Sequence, residues 1–271
     1  MKHRTVLLIV SAVILLGAAQ LTSYEIELWN SPEAIKIAAA SDLKFAFEEL
    51  GAAFEAETGT QIIFKFGSSG LLASEIEGGA PYDVYASANK EFVTRLVEEE
   101  RLIEDTARLY ANGRIVLVSR TDGDFIPVKP EDLTDSRIRI VAIANPAHAP
   151  YGVAAKEALE NSGVWLGVQD NLVYGKNILD TLELVQMGEA DAGIVAYSLI
   201  PENKDLSSDL TFTPIDDDSY TFLEQTIGVV SYSHKQESAV AFIGFATSAE
   251  GRSILEKHGF IVPDEIESRL K

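Results

Sequence analysis

The stretch Ile35-Lys36-Ile37-Ala38-Ala39-Ala40-Ser41-Asp42-Leu43-Lys44 decides the fold, because an apolar run changes into a helical pattern at one serine. The run Ile35–Ala40 has the composition of a buried strand. The apolar residues after it recur at helical spacing; they are Leu43, Ala46, Phe47, Leu50 and Phe54. Ser41 would therefore lie at the positive end of a helix, where unpaired N–H groups attract anions. The alternative for this serine alone is an ordinary N-cap.

A second serine corner follows the next strand-like run, Gln61–Phe66. It reads Phe66-Gly67-Ser68-Ser69-Gly70 and precedes the helical run Leu71–Ile76. Glycine on both sides lets the backbone turn tightly and approach a ligand closely. A plain turn is an equally open interpretation, since Gly and Ser are common turn residues. The spacing to a Gly-Lys-Ser/Thr is absent, so the corner is not a P-loop.

Two more predicted helices also begin directly after a loop or strand. The loop Asn145–Gly152 follows the strand-like run Ile138–Ile143, and its two prolines fix the start of a helix whose first N–H groups, at Tyr151 and Gly152, point outward. Gly175–Ile178 opens the fourth helix, with Asn177 as a good N-cap. For the loop Asn145–Gly152, the alternative is a rigid connector in which His148 makes a hydrogen bond within the loop. For Gly175–Ile178, the default interpretation of Lys176 is a solvated side chain.

Strand-like and helical runs alternate along most of the chain, which predicts mainly parallel sheets covered by helices. The predicted fold class is α/β, with two lobes and a ligand cleft between them. Chain crossings near Ala111–Arg114 and Asp218–Gly228 would divide it into lobe 1, residues 35–112 and 222–271, and lobe 2, residues 113–221. In open α/β sheets ligands bind beyond the carboxyl ends of strands, where both serine corners lie.

Composition excludes several classes of function. The chain has 271 residues, no cysteine and four histidines, so disulfides and thiolate metal sites are excluded and a transition-metal site is not expected. Its net charge of −20 argues against nucleic acid as a partner. The same charge does not exclude a small anion, because distant surface charges are screened within about 8–10 Å.

The N-terminus has the pattern of an export signal. A basic segment at Lys2–Arg4 precedes an almost wholly apolar run to Leu16 and the small residues Gly17-Ala18-Ala19. We therefore expect residues 1–19 to be a signal peptide, residues 20–34 a linker, and the protein to act in the periplasm or on the extracytoplasmic face of the membrane. An uncleaved anchor is the alternative, although the apolar run is short of the roughly 20 residues that span a bilayer.

Taken together, these motifs resemble the molybdate-binding proteins of bacterial ABC importers. The resemblance extends from about Ile35 to Val262, and the stretches that carry it are Ala38–Ser41, Phe66–Gly70, Gly78–Val84, Asn145–Gly152, Gly193–Val195 and Gly251–Phe260. It implies the two-lobe fold of type II periplasmic binding proteins, with molybdate, or the similar tungstate, held in the cleft. It also implies a membrane permease as partner, a monomer, and no cofactor.

The resemblance further implies which residues hold the oxyanion. Hydroxyl and N–H groups of Ser41 and Ser69 and backbone N–H groups of Tyr151 and Ile178 would bind it. Further candidates are Asp42, through its N–H only since its carboxylate would repel an anion, and Ser68. Some members add a tyrosine hydroxyl after the last buried strand; here that position reads Ala196, and the nearest tyrosine is Tyr197.

Three other kinds of function are weighed against this one: a binding protein for a different anion, a hydrolase, and a signalling or adhesion module. A binding protein for sulfate, phosphate or an organic anion would have the same fold and compartment. A serine hydrolase would need a nucleophile elbow, and no Gly-x-Ser-x-Gly is present. Carboxylate-based hydrolysis lacks a carboxylate pair in a telling context. No catalytic residues are therefore predicted. A signalling or adhesion module without a small ligand also has little support.

Overall fold

The computed structural model describes residues 33–200 and 209–263, so the predicted signal peptide and nearly all of the predicted linker lie outside the described residues. Ten strands form two sheets of five. The strands of the first sheet are β1 (Ile35–Ala40), β2 (Ile62–Gly67), β3 (Val84–Ser87), β4 (Arg108–Gly113) and β10 (Leu223–Val229). Those of the second are β5 (Ile115–Arg120), β6 (Val141–Ala144), β7 (Leu172–Gly175), β8 (Ala192–Ala196) and β9 (Leu210–Pro214).

Helices connect most of these strands and cover both sheets. The described α-helices are α1 (Lys44–Thr58), α2 (Ser69–Glu77), α3 (Lys90–Glu98), α4 (Pro150–Asn161), α5 (Trp165–Val168), α6 (Ile178–Gln186), α7 (Gln236–Ala246) and α8 (Ala249–Lys257). A short 3-10 turn at Ser41–Leu43 joins β1 to α1. The predicted fold class, α/β with two sheets flanked by helices, is confirmed.

The two sheets have equivalent topologies, and each is mixed. Their strand orders are β2-β1-β3-β10-β4 and β7-β6-β8-β5-β9. In each, the first three strands are parallel, while β10 in one sheet and β5 in the other run antiparallel to both neighbours. Four of the five strands in each sheet nonetheless run in one direction, as predicted. The exceptions, β5 and β10, are the strands that enter directly from the other sheet.

The chain passes between the sheets at two places. It leaves β4 at Gly113 and enters β5 at Ile115, and it returns in the segment between β9 and β10. The C-terminal helices then pack on the first sheet: Phe242 of α7 lies 6.0 Å from Phe47 and 5.5 Å from Phe54 of α1, between ring centroids. In α8, Lys257 pairs with Glu49 of α1 at 2.7 Å.

None of the helices within residues 33–200 and 209–263 combines the length and the apolarity needed to cross a bilayer.

Candidate functional site

The four helix starts that the sequence singled out meet around one cavity between the sheets. Its free volume is about 10 Å³, which is about the room that one water molecule needs. The residues that line it are Ala40, Ser41, Asp42, Gly67, Ser68, Ser69, Ala88, Ala149, Pro150, Tyr151 and Ile178. Ser41, Ser69 and Tyr151 are at most 2% exposed, so all three residues are buried beside the cavity. Six of the seven predicted ligand residues are thus brought together.

Sheet topology explains this convergence. Strands β1 and β2 are parallel neighbours, with Ala40 paired to Gly67, so the corners that follow them lie at the same edge of the first sheet. Strands β6 and β7 have the same relation in the second sheet, with Ala144 paired to Gly175. The two edges face each other across the cavity, which places two helix N-termini on each side.

Several N–H groups at the cavity have no partner within the described part of the chain. In α6, the Asn177 side chain caps Leu179 and Asp180 at 3.0 Å each, which leaves the N–H of Ile178 unused. In α2 and α4, the N–H groups of Ser69 and Tyr151 belong to the first turn, where an intrahelical acceptor does not exist. These groups carry partial positive charge and suit an anion.

The serine hydroxyls are not helix caps. The 3-10 turn that begins at Ser41 has Ala40 at its cap position and no side-chain capping bond. Ser68 occupies the cap position of α2, yet its hydroxyl makes no capping bond either. The Ser69 oxygen accepts from the Ala88 N–H at 3.0 Å, which holds the side chain and leaves the hydroxyl proton to be donated elsewhere. The alternative of an ordinary N-cap is therefore wrong for Ser41.

Ser68 instead joins the two sides of the cavity. Its hydroxyl donates to the His148 carbonyl at 2.6 Å, and the hydroxyl oxygen lies 2.8 Å from His148 Nδ1. Since the hydroxyl proton is used, Nδ1 must carry the ring proton. The Gly70 N–H donates to the same carbonyl at 3.0 Å, where a Cβ on Gly70 would lie 2.7 Å from the carbonyl oxygen. Ser68 thus lines the cavity, but its hydroxyl proton is already committed.

Asp42 is a fully buried carboxyl group beside the cavity. Its Oδ2 accepts from the Tyr151 hydroxyl at 3.0 Å and from Gln225 Nε2 at 2.8 Å, while Oδ1 has no partner among the residues described. Burial raises the pKa of Asp42 to about 6, against the lowering effect of those two hydrogen bonds and of its own backbone N–H. Sequence reasoning missed Gln225, which comes from a strand 183 residues away and has no local signal.

Tyr197 does not reach this cavity. Its ring lies 4.7 Å from the Arg114 guanidinium and against Gly259, in a different, larger cavity of about 390 Å³. The one-residue offset from β8 turns the ring away from the serine corners. Three carboxylates line the larger cavity, at Asp216, Asp217 and Asp218, against one guanidinium, which makes it unsuited to a dianion. Lys176 is exposed and lies outside the serine-lined cavity.

Comparison with known proteins agrees with the resemblance predicted from the motifs. The chain is similar to the molybdate-binding protein ModA of Rhodobacter capsulatus, with 30% identity over 227 residues that cover 83% of this chain and 86% of that protein. Among solved structures, it superimposes on the periplasmic molybdate-binding protein of Azotobacter vinelandii with a TM-score of 0.79 at 23% identity, covering 84% of this chain and 99% of that one.

The same fold occurs in proteins with other ligands. The sulfate-binding protein SubI of Mycobacterium tuberculosis matches with a TM-score of 0.75 at 17% identity, over 87% of this chain and 89% of that one. This likeness concerns the fold alone. Residues 35–261 match the family described as bacterial extracellular solute-binding protein, and the chain therefore belongs to that family.

Proposed function

We propose that this protein captures molybdate outside the cytoplasm and delivers it to the permease of an ABC importer. The observation that carries the proposal is the meeting of two uncapped serine corners and two further helix N-termini at one cavity. The relationship to molybdate-binding proteins at up to 30% identity supports this choice of ligand. We propose Ser41, Ser69, Tyr151 and Ile178 as the ligand-binding residues, with the Asp42 N–H as a further donor.

Hydrogen bonding alone accounts for useful affinity at such a site. The donors are two serine hydroxyls and the N–H groups of Ser69, Tyr151 and Ile178. Five hydrogen bonds to a charged ligand, at about 1.5–3 kcal/mol each, provide roughly 8–15 kcal/mol. Micromolar to nanomolar binding needs about 8–12 kcal/mol, and the ordering of the site must be offset as well. The donors are thus sufficient without a metal or a cation.

Neutral donors also favour discrimination by size. Neither lysine nor arginine belongs to the described lining of the cavity. A rigid cage sized for molybdate leaves the hydrogen bonds to a smaller tetrahedral ion long and weak. We therefore expect tungstate, which is near-equal in size and charge, to bind like molybdate, and sulfate to bind much more weakly.

The remaining features of the proposal follow from the same fold. We assign residues 35–112 and 222–271 to one lobe and 113–221 to the other, which the membership of the two sheets supports. Export by the N-terminal signal would place the protein outside the cytoplasm. We further propose that it acts as a monomer, without enzymatic activity and without nucleic acid as a partner.

Calorimetric titration of ligand-free protein with molybdate, tungstate, sulfate and phosphate tests the proposal. Tight one-to-one binding of the first two ions, with little heat from the others, is the expected result. Equal affinities for molybdate and sulfate would refute selection by size. Heat from phosphate or sulfate alone would move the substrate to another oxyanion, and the absence of heat from all four would refute the site.

Removing either free hydroxyl is expected to weaken binding strongly. Ser41→Ala and Ser69→Ala should each raise the molybdate Kd by roughly 10- to 150-fold, which corresponds to one hydrogen bond to a charged group of about 1.5–3 kcal/mol. Calorimetry measures the change. Ser248→Ala is the matched control, because its hydroxyl caps α8 at the Gly251 N–H; it should cost about 1 kcal/mol of stability and leave the Kd unchanged. Equal Kd values for all three variants would show that the two corner serines have no ligand role.

A further inference from the structure

The Tyr151 hydroxyl lies in a buried polar cluster between the two sheets. Tyr151 belongs to α4, which follows β6 of the second sheet, whereas Asp42 follows β1 and Gln225 lies in β10, both of the first sheet. The hydroxyl donates to Asp42 Oδ2 at 3.0 Å and accepts from Gln225 Nε2 at 3.2 Å. Tyr110 of β4 completes the cluster by donating to Gln225 Oε1 at 3.0 Å. One oxygen atom thus makes both hydrogen bonds that this cluster forms across the interface.

The cluster lies against the point where the chain crosses between the sheets. Gly113 is the last residue of β4, and a Cβ placed there would be 2.1 Å from the Tyr151 oxygen. Only glycine leaves room for the hydroxyl at this position. Rotation of the lobes about the crossing at Arg114 would therefore move Tyr151 toward or away from Asp42 and Gln225.

We propose that the Tyr151 hydroxyl is a latch, formed when the lobes close, that holds the two sides of the cavity at their binding distance. The inference rests on the proposed function, since it concerns the same cavity. Asp42 directly follows Ser41, and the backbone N–H of Tyr151 faces the cavity from the opposite side. The latch therefore fixes the donors of one side relative to the other, and Asp42, Tyr151 and Gln225 act as positioning residues through their side chains.

This latch also gives Asp42 a reason to be present in a cavity for an anion. A carboxylate next to an oxyanion repels it, yet here Oδ2 is occupied by donors from both lobes. The Asp42 carboxyl is then an anchor for closure and not a ligand group. Tyr151 contributes its hydrogen bond to this carboxyl only when the lobes are closed, so that bond adds to the stability of the closed state.

The variant Tyr151→Phe tests the latch with the smallest change. It removes both cross-lobe hydrogen bonds of the cluster but keeps the ring, the backbone N–H and the Asp42–Gln225 bond. We expect the molybdate Kd to rise by about 10- to 100-fold. Most of the change should be in the dissociation rate, because the latch forms after the ion has entered. Stopped-flow fluorescence gives the two rates, and calorimetry gives the Kd.

Tyr232→Phe is the matched control. The Tyr232 hydroxyl donates to the Ile76 and Ala80 carbonyls, both beside α2 in the first lobe, and it touches nothing across the cavity. This variant should leave the Kd and the dissociation rate unchanged. Small-angle scattering with saturating molybdate should show that Tyr151→Phe is more expanded than the control.

The outcomes separate the latch from the proposed function. Molybdate binding by both variants with equal Kd and dissociation rate would overturn the latch and leave the function standing. Failure of the unsubstituted protein to bind any tetrahedral oxyanion would overturn both. A slower association rate with an unchanged dissociation rate would also contradict the latch, because the hydroxyl would then act on entry and not on closure.

Discussion

Gly152→Ala is expected to lower the free energy of unfolding by at least about 3 kcal/mol and to abolish tight molybdate binding. A Cβ at this position would lie 2.1 Å from the Ala144 carbonyl oxygen and 2.9 Å from the Pro146 nitrogen. Both are backbone atoms, so no side-chain rotation relieves the clash. The loss of stability is therefore at or above about 3 kcal/mol, the upper end of the usual cost of overpacking a core. The first turn of α4 must move away from β6, and it carries Pro150 and Tyr151, which line the cavity.

Urea unfolding and calorimetry measure the two effects. Gly244→Ala provides the control, because nothing lies within 4 Å of a Cβ at this exposed position in α7. It should stabilise the protein by roughly 0.5–1 kcal/mol through helix propensity and leave binding unchanged. Similar unfolding free energies for the two variants would show that α4 can shift without cost and would contradict the prediction.

The positions of the helix starts could be predicted because they depend on local pattern. The apolar run of β1 ends at the predicted residue, Ala40, and α6 begins at the predicted Ile178. Three strands were not predicted. β7 and β9 are edge strands with exposed residues, such as Tyr174 and Phe212, so their apolar pattern is diluted. In β4, polar residues interrupt the apolar pattern. One of them, Asn112, is nevertheless buried, and its backbone pairs with the distant residue Ile261, which the local sequence does not indicate.

The candidate site likewise has a part that local sequence predicts and a part that it does not. The proposed donors lie at helix starts that follow strands in sequence, so Ser41, Ser69, Tyr151 and Ile178 could be proposed from the motifs and the family resemblance without knowledge of the fold. The groups that support them are long-range. Gln225 reaches Asp42 from β10, and the Ser68 hydroxyl bonds to a carbonyl 80 residues away. Sequence spacing carries no information on such contacts, which is also why the carboxylate of Asp42 appeared only as a source of repulsion.

Asp42→Asn is expected to become more stable relative to the unsubstituted protein as the pH rises from 4 to 7. Burial raises the pKa of Asp42 from its ordinary value of 3.8 to about 6 in the folded state, so between these values the folded protein binds more protons than the unfolded one. The stability contributed by the protonated carboxyl is therefore fully present below pH 4 and lost as the pH passes through 6. A difference of about two pKa units corresponds to about 3 kcal/mol.

Asparagine preserves the shape of the site while removing the titration. Its carbonyl oxygen can accept from Tyr151 and Gln225, and its amide then occupies the position of Oδ1, which has no partner among the described residues. The difference in unfolding free energy between the two proteins, measured by urea denaturation without ligand, should grow by about 3 kcal/mol from pH 4 to pH 7.

Asp135→Asn separates this effect from a general response to acid. The neighbouring Arg137 guanidinium holds the pKa of Asp135 at about 2, so its titration ends below pH 4. The stability difference for this variant should stay constant between pH 5 and pH 7. If the Asp42→Asn difference were equally constant there, the carboxyl would be ionised in the folded protein throughout, and its burial would have to be balanced by donors other than Tyr151 and Gln225.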